Sequence, residues 1–548
     1  DNPPILEGDK AGVSSLTGSL LGNGSMTIPK DDFNEEVDFL GANISFGSQS
    51  AFASSLSKYF PRIMELMADA ALNPNFTQEE FDKEKDKLIT GLKTQEKDVS
   101  AIAGRVQRAL AYGTDHPYGE FTTEETVNNV TLNNVKQFYT DYFVPANAYM
   151  VVIGDVNFDE VKELVTKSFT PWTKATPPSF TFSKPTNAQY TQINFVDVPN
   201  AVQSEITVQN LVNLQMKDTD YLPALVANQI LGGGGEARLF LNLREDKGYT
   251  YGSYSRLGND KYAPSRFRAS ASVRNVVTDS SVVEILKEID RISKEPVSEK
   301  ELRNTKAKYV GNFVLALERP STIARYALNI ETEGLPKDFY KTYLERINAI
   351  TIEDVQAASK KYFSSKNARV VVAGKGSDVL ENLEKVTFNG KTVPVNYFDK
   401  YAAKAEKPNY DAALPEGVSV QSVIDKYFEA IGGKAEVDKI QSLKLVYEGT
   451  AMGATIKVEE KRTADNFAQI SYMNNAAMGG VIAKGDELYM KQGGNKVPLP
   501  PNMQKDLMKA LGVFAEQRIA ANPAAKLAGT EMVDGKEAIK IEVPGDVV

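Results

Sequence analysis

Cysteine is absent from the 548 residues, and histidine occurs once, at His116. The first absence removes disulfides, thiolate metal ligands and thiol nucleophiles, while leaving both cytoplasm and periplasm open. The second removes every site built on two imidazoles. Long apolar runs are missing too, so nothing approaches the ~18 residues that a membrane-spanning helix requires. Nor is there a basic excess: 63 Lys and Arg stand against 72 Asp and Glu, a net charge of −9 with both signs interspersed. Non-specific nucleic-acid binding is therefore disfavoured. No loop has calcium-site spacing, and the glycine run at residues 232–235 lacks a following Lys-Ser/Thr. That run follows an expected helix and reads as its C-terminal cap.

Present instead is a globular composition, 42% hydrophobic and 25% charged, long enough for about three or four domains of ~150 residues. An internal duplication organises most of it. Thr131-Leu132, Val135, Tyr142-Phe143, Asn147-Ala148, Val151-Val152 and Gly154 recur as Thr351-Ile352, Val355, Tyr362-Phe363, Asn367-Ala368, Val371-Val372 and Gly374, about 220 residues later. Each copy predicts an amphipathic helix, a turn and a buried strand, at 149–153 and again at 369–373. Thr77-Gln78-Glu79-Glu80 and Ser298-Glu299-Lys300-Glu301 read as matching capping boxes.

Two homologous α+β domains follow, 1–175 and 190–398, each a sheet covered by helices. A Pro-rich linker at 171–189 joins them. The second opens with strands at 193–198 and 206–209 before a helix at 221–231. Only eleven residues precede Gly12 in the first, so its opening strands are expected to be missing and both chain ends to be clipped. The pattern decays through 375–416, with a further linker expected around 404–415. Residues 418–548 read as an incomplete β-rich domain: a helix at 420–431, then alternating strands at 443–449, 455–461, 467–472 and 540–543.

Several segments sharpen the reading: His116-Pro117-Tyr118-Gly119, Pro199-Asn200-Ala201-Val202-Gln203-Ser204, and Arg238-Leu239-Phe240 with Leu243-Arg244-Glu245 and Gly248-Tyr249-Thr250-Tyr251. Together they resemble the insulinase or pitrilysin family of inverted zincin peptidases, over residues 1–398. Active members carry H-x-x-E-H on their first helix and a Glu ligand on a later one. The resemblance places those positions on Ser15, Gly18, Ser19 and Gly91, so all four groups are missing. No cofactor is expected in this chain, and zinc is expected in a partner subunit.

The resemblance also matches Arg244 and Tyr251 to the pair that the family's metal-free half extends towards the zinc site. A guanidinium and a phenol can donate to a peptide carbonyl or a developing oxyanion. The plainer alternative is an ordinary ion pair of Arg244 with Glu245 or Asp246, and a Tyr251 packed in a strand. His116, in a turn without a visible nucleophile, reads as structural. Residues 81–97 read as a solvated helix with Phe81, Leu88 and Leu92 as its apolar stripe.

Residues 424–434, Ile-Asp-Lys-Tyr-Phe-Glu-Ala-Ile-Gly-Gly-Lys, resemble the opening of outer-membrane lipoprotein-sorting proteins, half-barrels that shelter acyl chains. Met473, Met478, Met490, Met503 and Met508 read as core or as lining of such a cavity. The resemblances imply a metal-free subunit that pairs with an H-x-x-E-H sister subunit around unfolded peptide, in the periplasm or at the outer membrane of a Gram-negative bacterium. The rival expectation is an inactive scaffold of an envelope assembly, with lipid or lipoprotein bound by the last domain.

Overall fold

In the computed structural model the first half runs α1 (Val13–Leu20), α2 (Lys30–Phe39), β1 (Asn43–Gly47), β2 (Ser50–Ser54), α3 (Phe60–Leu72), α4 (Gln78–Gln95), α5 (Val99–Tyr112), α6 (Glu124–Asn128), α7 (Leu132–Tyr142) and α8 (Phe158–Phe169). The second half adds β3 (Gln192–Asp197) and β4 (Gln203–Val212). It then repeats that order: α9 (Tyr221–Gly232), α10 (Arg238–Phe240), β5 (Thr250–Leu257), β6 (Ser265–Arg274), α11 (Thr278–Lys294), α12 (Glu299–Leu317), α13 (Pro320–Thr332), α14 (Tyr343–Ala349) and α15 (Ile352–Tyr362). The structure describes residues 1–410, 417–451, 454–485, 487–492, 494–500, 503–504, 507, 511–533 and 536–543. The chain divides into two units, Asp1–Pro408 and Asn409–Val548.

Caps set the helix starts. Thr131 with Asn134, Thr351 with Asp354 and Ser298 with Glu301 form reciprocal capping boxes that satisfy two orphan amides each. At Thr77 only half of the expected box forms: the hydroxyl accepts from the Glu80 amide, but the Glu80 carboxylate is taken by Lys30 at 2.6 Å. The 81–97 stretch is the solvated helix α4, with Phe81 and Leu92 buried.

β7 (Arg369–Gly374) lies between β3, to which it is parallel, and β4, to which it is antiparallel, in a six-stranded sheet. β6 and then β5 continue that sheet as hairpin partners, leaving β5 at the edge. The strand at 149–153, expected from the same sequence pattern, does not form. β7 takes its ladder bonds from β3 and β4, whereas no described strand lies beside 149–153, and Tyr149, Met150 and Ile153 stand exposed. The first half keeps only the β1–β2 hairpin.

The decay expected after residue 374 is also corrected. α16 (Gly376–Leu383), the short β8 (Thr387–Phe388) and β9 (Lys391–Thr392), and β10 (Val395–Phe398) fold back, and β10 adds to β3 in parallel. Val379, Leu380 and Leu383 bury an amphipathic face there. Four apolar residues of α5 close the other face of the sheet. Val99, Ile102, Ala103 and Val106 pack on Val196, Val198, Val371 and Ala373, so a helix from one half covers the strands of the other. Residues 172–188, the expected linker, carry no regular secondary structure. They are pinned by Trp172 Nε1 donating to the Phe143 carbonyl at 3.1 Å.

The unit from Asn409 onward opens with α17 (Val420–Ala430), whose Ile424 and Phe428 are buried against Val437, Phe514 and Ile519. A six-stranded antiparallel meander runs from Ser442 to Pro498, followed by a hairpin of Lys526–Val533 with Lys536–Glu542. Asn474 and Asn475, at φ 47° and 65°, form a two-residue hairpin turn that needs left-handed backbone at both positions. Met490 packs into a small core around Phe467 and Leu499, whereas Met473, Met478 and Met503 are exposed and Met508 lies outside the described residues.

Ile102 is buried at the seam between the halves. Truncation by Ile102→Ala should cost about 2–5 kcal/mol, the range for an aliphatic residue cut to Ala in a packed core. Urea unfolding of the full chain reads this, and an unshifted midpoint would mean that α5 does not hold the sheet.

Candidate functional site

Leu243 is fully buried and fixes a π-helical turn, Leu241–Asp246, that continues α10. Such turns place side chains where a regular helix cannot. Asn242 ties it to α11 by donating to Glu284 at 3.1 Å and Glu288 at 2.9 Å. Arg238 anchors the preceding turn through a forked contact with Glu301, 2.7 and 3.1 Å. Burial pushes the Glu301 carboxyl up, but Arg238 and the Ser298 amide and hydroxyl more than offset it and lower it to about 2. Gly248, at φ 63°, reverses the chain into β5 in a backbone conformation that suits glycine.

Just inside β5 the register slips by one residue between Thr250 and Ser253. This bulge re-aims the strand. It is held by Thr250 Oγ1 donating to the Ser272 carbonyl at 2.6 Å, and it turns Tyr251 outward, 83% exposed. The Arg244 guanidinium lies over the Tyr251 ring at 5.1 Å. Arg244 Nε is 3.7 Å from Glu245, an exposed ion pair of small energetic consequence. Among the described residues neither the guanidinium nor the phenol oxygen has a hydrogen-bond partner within the chain, Glu245 being the carboxylate within ion-pair distance of Arg244.

On α1, Val13, Leu16, Thr17 and Leu20 are buried, and Ser15 and Ser19 share the exposed face one turn apart. The helix starts at Gly12, whose amide donates to the Glu7 carboxylate at 2.6 Å, an anion placed where the helix dipole favours one. Gly18 faces the β1–β2 turn, and a Cβ there would sit 2.8 Å from the Ser48 amide nitrogen. Gly91 lies on α4, with open space around it.

A model of the family described as "Insulinase (Peptidase family M16)" matches residues 6–115, and one described as "Peptidase M16 inactive domain" matches residues 129–309. Over these two stretches the chain belongs to peptidase family M16. Similar curated proteins include an uncharacterized zinc protease, YmxG, of Bacillus subtilis, 24% identical over 382 residues, spanning 67% of this chain and 89% of the relative. A non-peptidase homolog, YmxG, of Helicobacter pylori is 22% identical, spanning 64% of this chain and 82% of its own length. The fold matches a solved M16 inactive domain from Pseudomonas fluorescens, with TM-score 0.61 at 22% identity, covering 67% of this chain and 89% of that one.

The residues on α1 and α4 do not fit the zinc of active M16 members. Two neutral hydroxyls, a hydrogen in place of the general base and a second glycine offer no ligand set. Gly18, to which the resemblance assigns the base, has no side chain and no room for one, because the β1–β2 turn occupies the space it would need. His116, the one imidazole, is fully buried and stacks on Tyr112 at 5.1 Å. Its Nδ1 accepts from the Tyr118 amide at 3.1 Å. Among the described residues no three His, Asp or Glu side chains converge as metal ligands.

Reading the sequence missed the Arg238–Glu301 clamp and the Asn242 tether, which join segments distant in the chain. The bulge at Tyr251 was equally silent, although the preceding Gly248 is the kind of residue that permits it.

Burial lowers the His116 pKa below its ordinary 6.5. In the unfolded chain the imidazole therefore takes up a proton at higher pH than in the fold. Stability tied to His116 is complete above about pH 6.5 and falls as the pH drops towards the folded value. With a single imidazole, NMR reads this without assignment: the expected midpoint lies below 6.5, and one at or above 6.5 would contradict the buried neutral ring.

Proposed function

We propose that this chain is the metal-free subunit of a heteromeric M16 peptidase, in which Arg244 and Tyr251 bind the peptide carbonyl at a site completed by a zinc-bearing H-x-x-E-H sister subunit. The observation that carries the reading is the pair itself: a guanidinium on a braced turn and a phenol on the next strand, neither hydrogen-bonded to the described residues, in a chain whose first helix offers no histidine or carboxylate. A guanidinium and a phenol held over one another reach the same small volume, as donors to a carbonyl or oxyanion must. The names of the relatives support a family with both kinds of chain, since Helicobacter pylori has a zinc protease, PqqE, and a non-peptidase homolog that are each 22% identical to this chain.

The rival reading is a scaffold of an envelope assembly. An apolar cavity of about 490 Å³ over Leu443, Phe467 and Ile482 in the second unit favours it, as a place for an acyl chain. The resemblance of that unit to lipoprotein-sorting proteins is the ground for placing either assembly in the periplasm or at the outer membrane.

Co-purification with the sister subunit decides between the two. Arg244→Ala and Tyr251→Phe should each lower peptide turnover, by about 10²–10³ for loss of one donor to a developing oxyanion, with the complex intact. Unchanged turnover rejects the proposal. A stable complex without hydrolysis, with an acyl species retained in native mass spectrometry, favours the scaffold.

A further inference from the structure

Between α4, α5 and β6 lies an open cavity of about 1060 Å³, whose walls include Arg105, Arg108, Tyr112, Phe121 and Arg266. Arg105, Arg108 and Tyr112 follow one another at the three- and four-residue spacing that aligns side chains on one helical face. On β6, Arg266 and Arg268 are two residues apart and share a face of the sheet. Arg268 is paired directly with Arg256 across the β5–β6 ladder. Five guanidiniums thus gather in a chain whose net charge is −9.

Like charges placed opposite one another in a sheet destabilise it, and the carboxylate acting on the cluster at longer range is Glu96, beside Arg105. Among the described residues none of the five has a carboxylate within salt-bridge distance. Arg266 is held by neutral partners, donating to Gln209 at 3.0 Å and Gln107 at 3.4 Å, and Arg105 donates to the Lys400 carbonyl at 3.1 Å. Arg108, Arg256 and Arg268 make no hydrogen bond with the chain's described residues. The two carboxylates lining the cavity are committed to backbone amides: Asp98 caps α5 at the Ala101 amide, 2.6 Å, and Glu120 accepts from the Glu7 and Gly8 amides. Burial, first, and the neighbouring arginines depress both Arg266 and Arg268, the former to about 10.

We infer that this arginine-lined cavity binds acidic stretches of peptide, with Arg108 and Arg266 in its wall and Arg268, beyond the wall on the same face of β6, forking onto Asp or Glu carboxylates of the ligand. Arginine is suited to the task because its planar fork presents two parallel donors to one carboxylate. Tyr112 and Phe121 supply walls for the intervening apolar chain. Peptide as the ligand class rests on the proposed reading of this chain as a peptidase subunit, and the overall negative charge disfavours nucleic acid. The site lies within this chain and needs no sister subunit, so its failure is distinguishable from failure of the proposed pairing.

The test is fluorescence anisotropy on the full chain alone, at low salt, with two C-terminally amidated probes: an alternating Glu-Ala peptide and its Gln-Ala counterpart. Amidation removes the terminal carboxylate as a source of binding. The Glu probe should bind at least about tenfold more tightly, as a few charge-assisted bonds imply, and lose that margin as salt rises. Arg108→Gln/Arg268→Gln should abolish the preference with the thermal midpoint preserved. Because neither side chain hydrogen-bonds or ion-pairs with the described residues, the variant should fold, and Arg256→Gln supplies a second change, at an exposed residue, that should weaken the preference. Equal affinity for the two probes, a preference unaltered in the double variant, or binding that appears only with a free C-terminus would overturn the inference.

Discussion

The apolar seam between α5 and the second-half sheet is the contact on which the rest of the segment from Asp1 to Pro408 depends. A sheet with helices on one face still has a second face to hide. Here Ile102, Ala103 and Val106 cover Val196, Val371 and Ala373, so neither half reaches its full burial without the other. Because the seam is formed by a helix that crosses from one half to the other, it also sets what lies beside it. Arg105 and Arg108 are carried on the same helix towards β6, Tyr112 at its end meets His116, and Gln107 joins the hydrogen bonding of Arg266.

Against that shared frame the two halves have diverged in what they present. The helix that opens the first half shows Ser15 and Ser19 to solvent and presses Gly18 against a backbone turn. The second half instead shows Arg244 and Tyr251, braced from behind by Asn242 donating to α11 and by Arg238 on Glu301. One half thus presents two exposed hydroxyls and the other a guanidinium over a phenol ring, and among the described residues no cluster of three metal-ligating side chains forms.

Much of this was legible in the sequence because it rests on local or periodic signals. The capping residues Thr131, Ser298 and Thr351, the apolar runs at β3, β4 and β7, and the shortage of imidazole are all such signals. Strand 149–153 misled because a strand's pattern reports its own apolarity and not whether a neighbour exists to bond it; β7 has β3 and β4, and its counterpart has neither. The return through α16 and β10 was hidden by short elements, since four residues, Val395–Phe398, give too brief an alternation to read. Arg244 and Tyr251 were found by resemblance, but their contact depends on a π-turn and a bulge that local propensity does not encode. The arginine cluster escaped because its members come from α5, β5 and β6, and only folding adds them together.

The proposed role requires a polypeptide that holds no catalytic metal of its own and lends donors to a partner. Equilibrium dialysis of the purified chain against zinc, followed by elemental analysis, tests it most directly. The account predicts zinc far below one equivalent per chain and no peptide cleavage. One tightly held equivalent, with cleavage that a chelator abolishes, would contradict it.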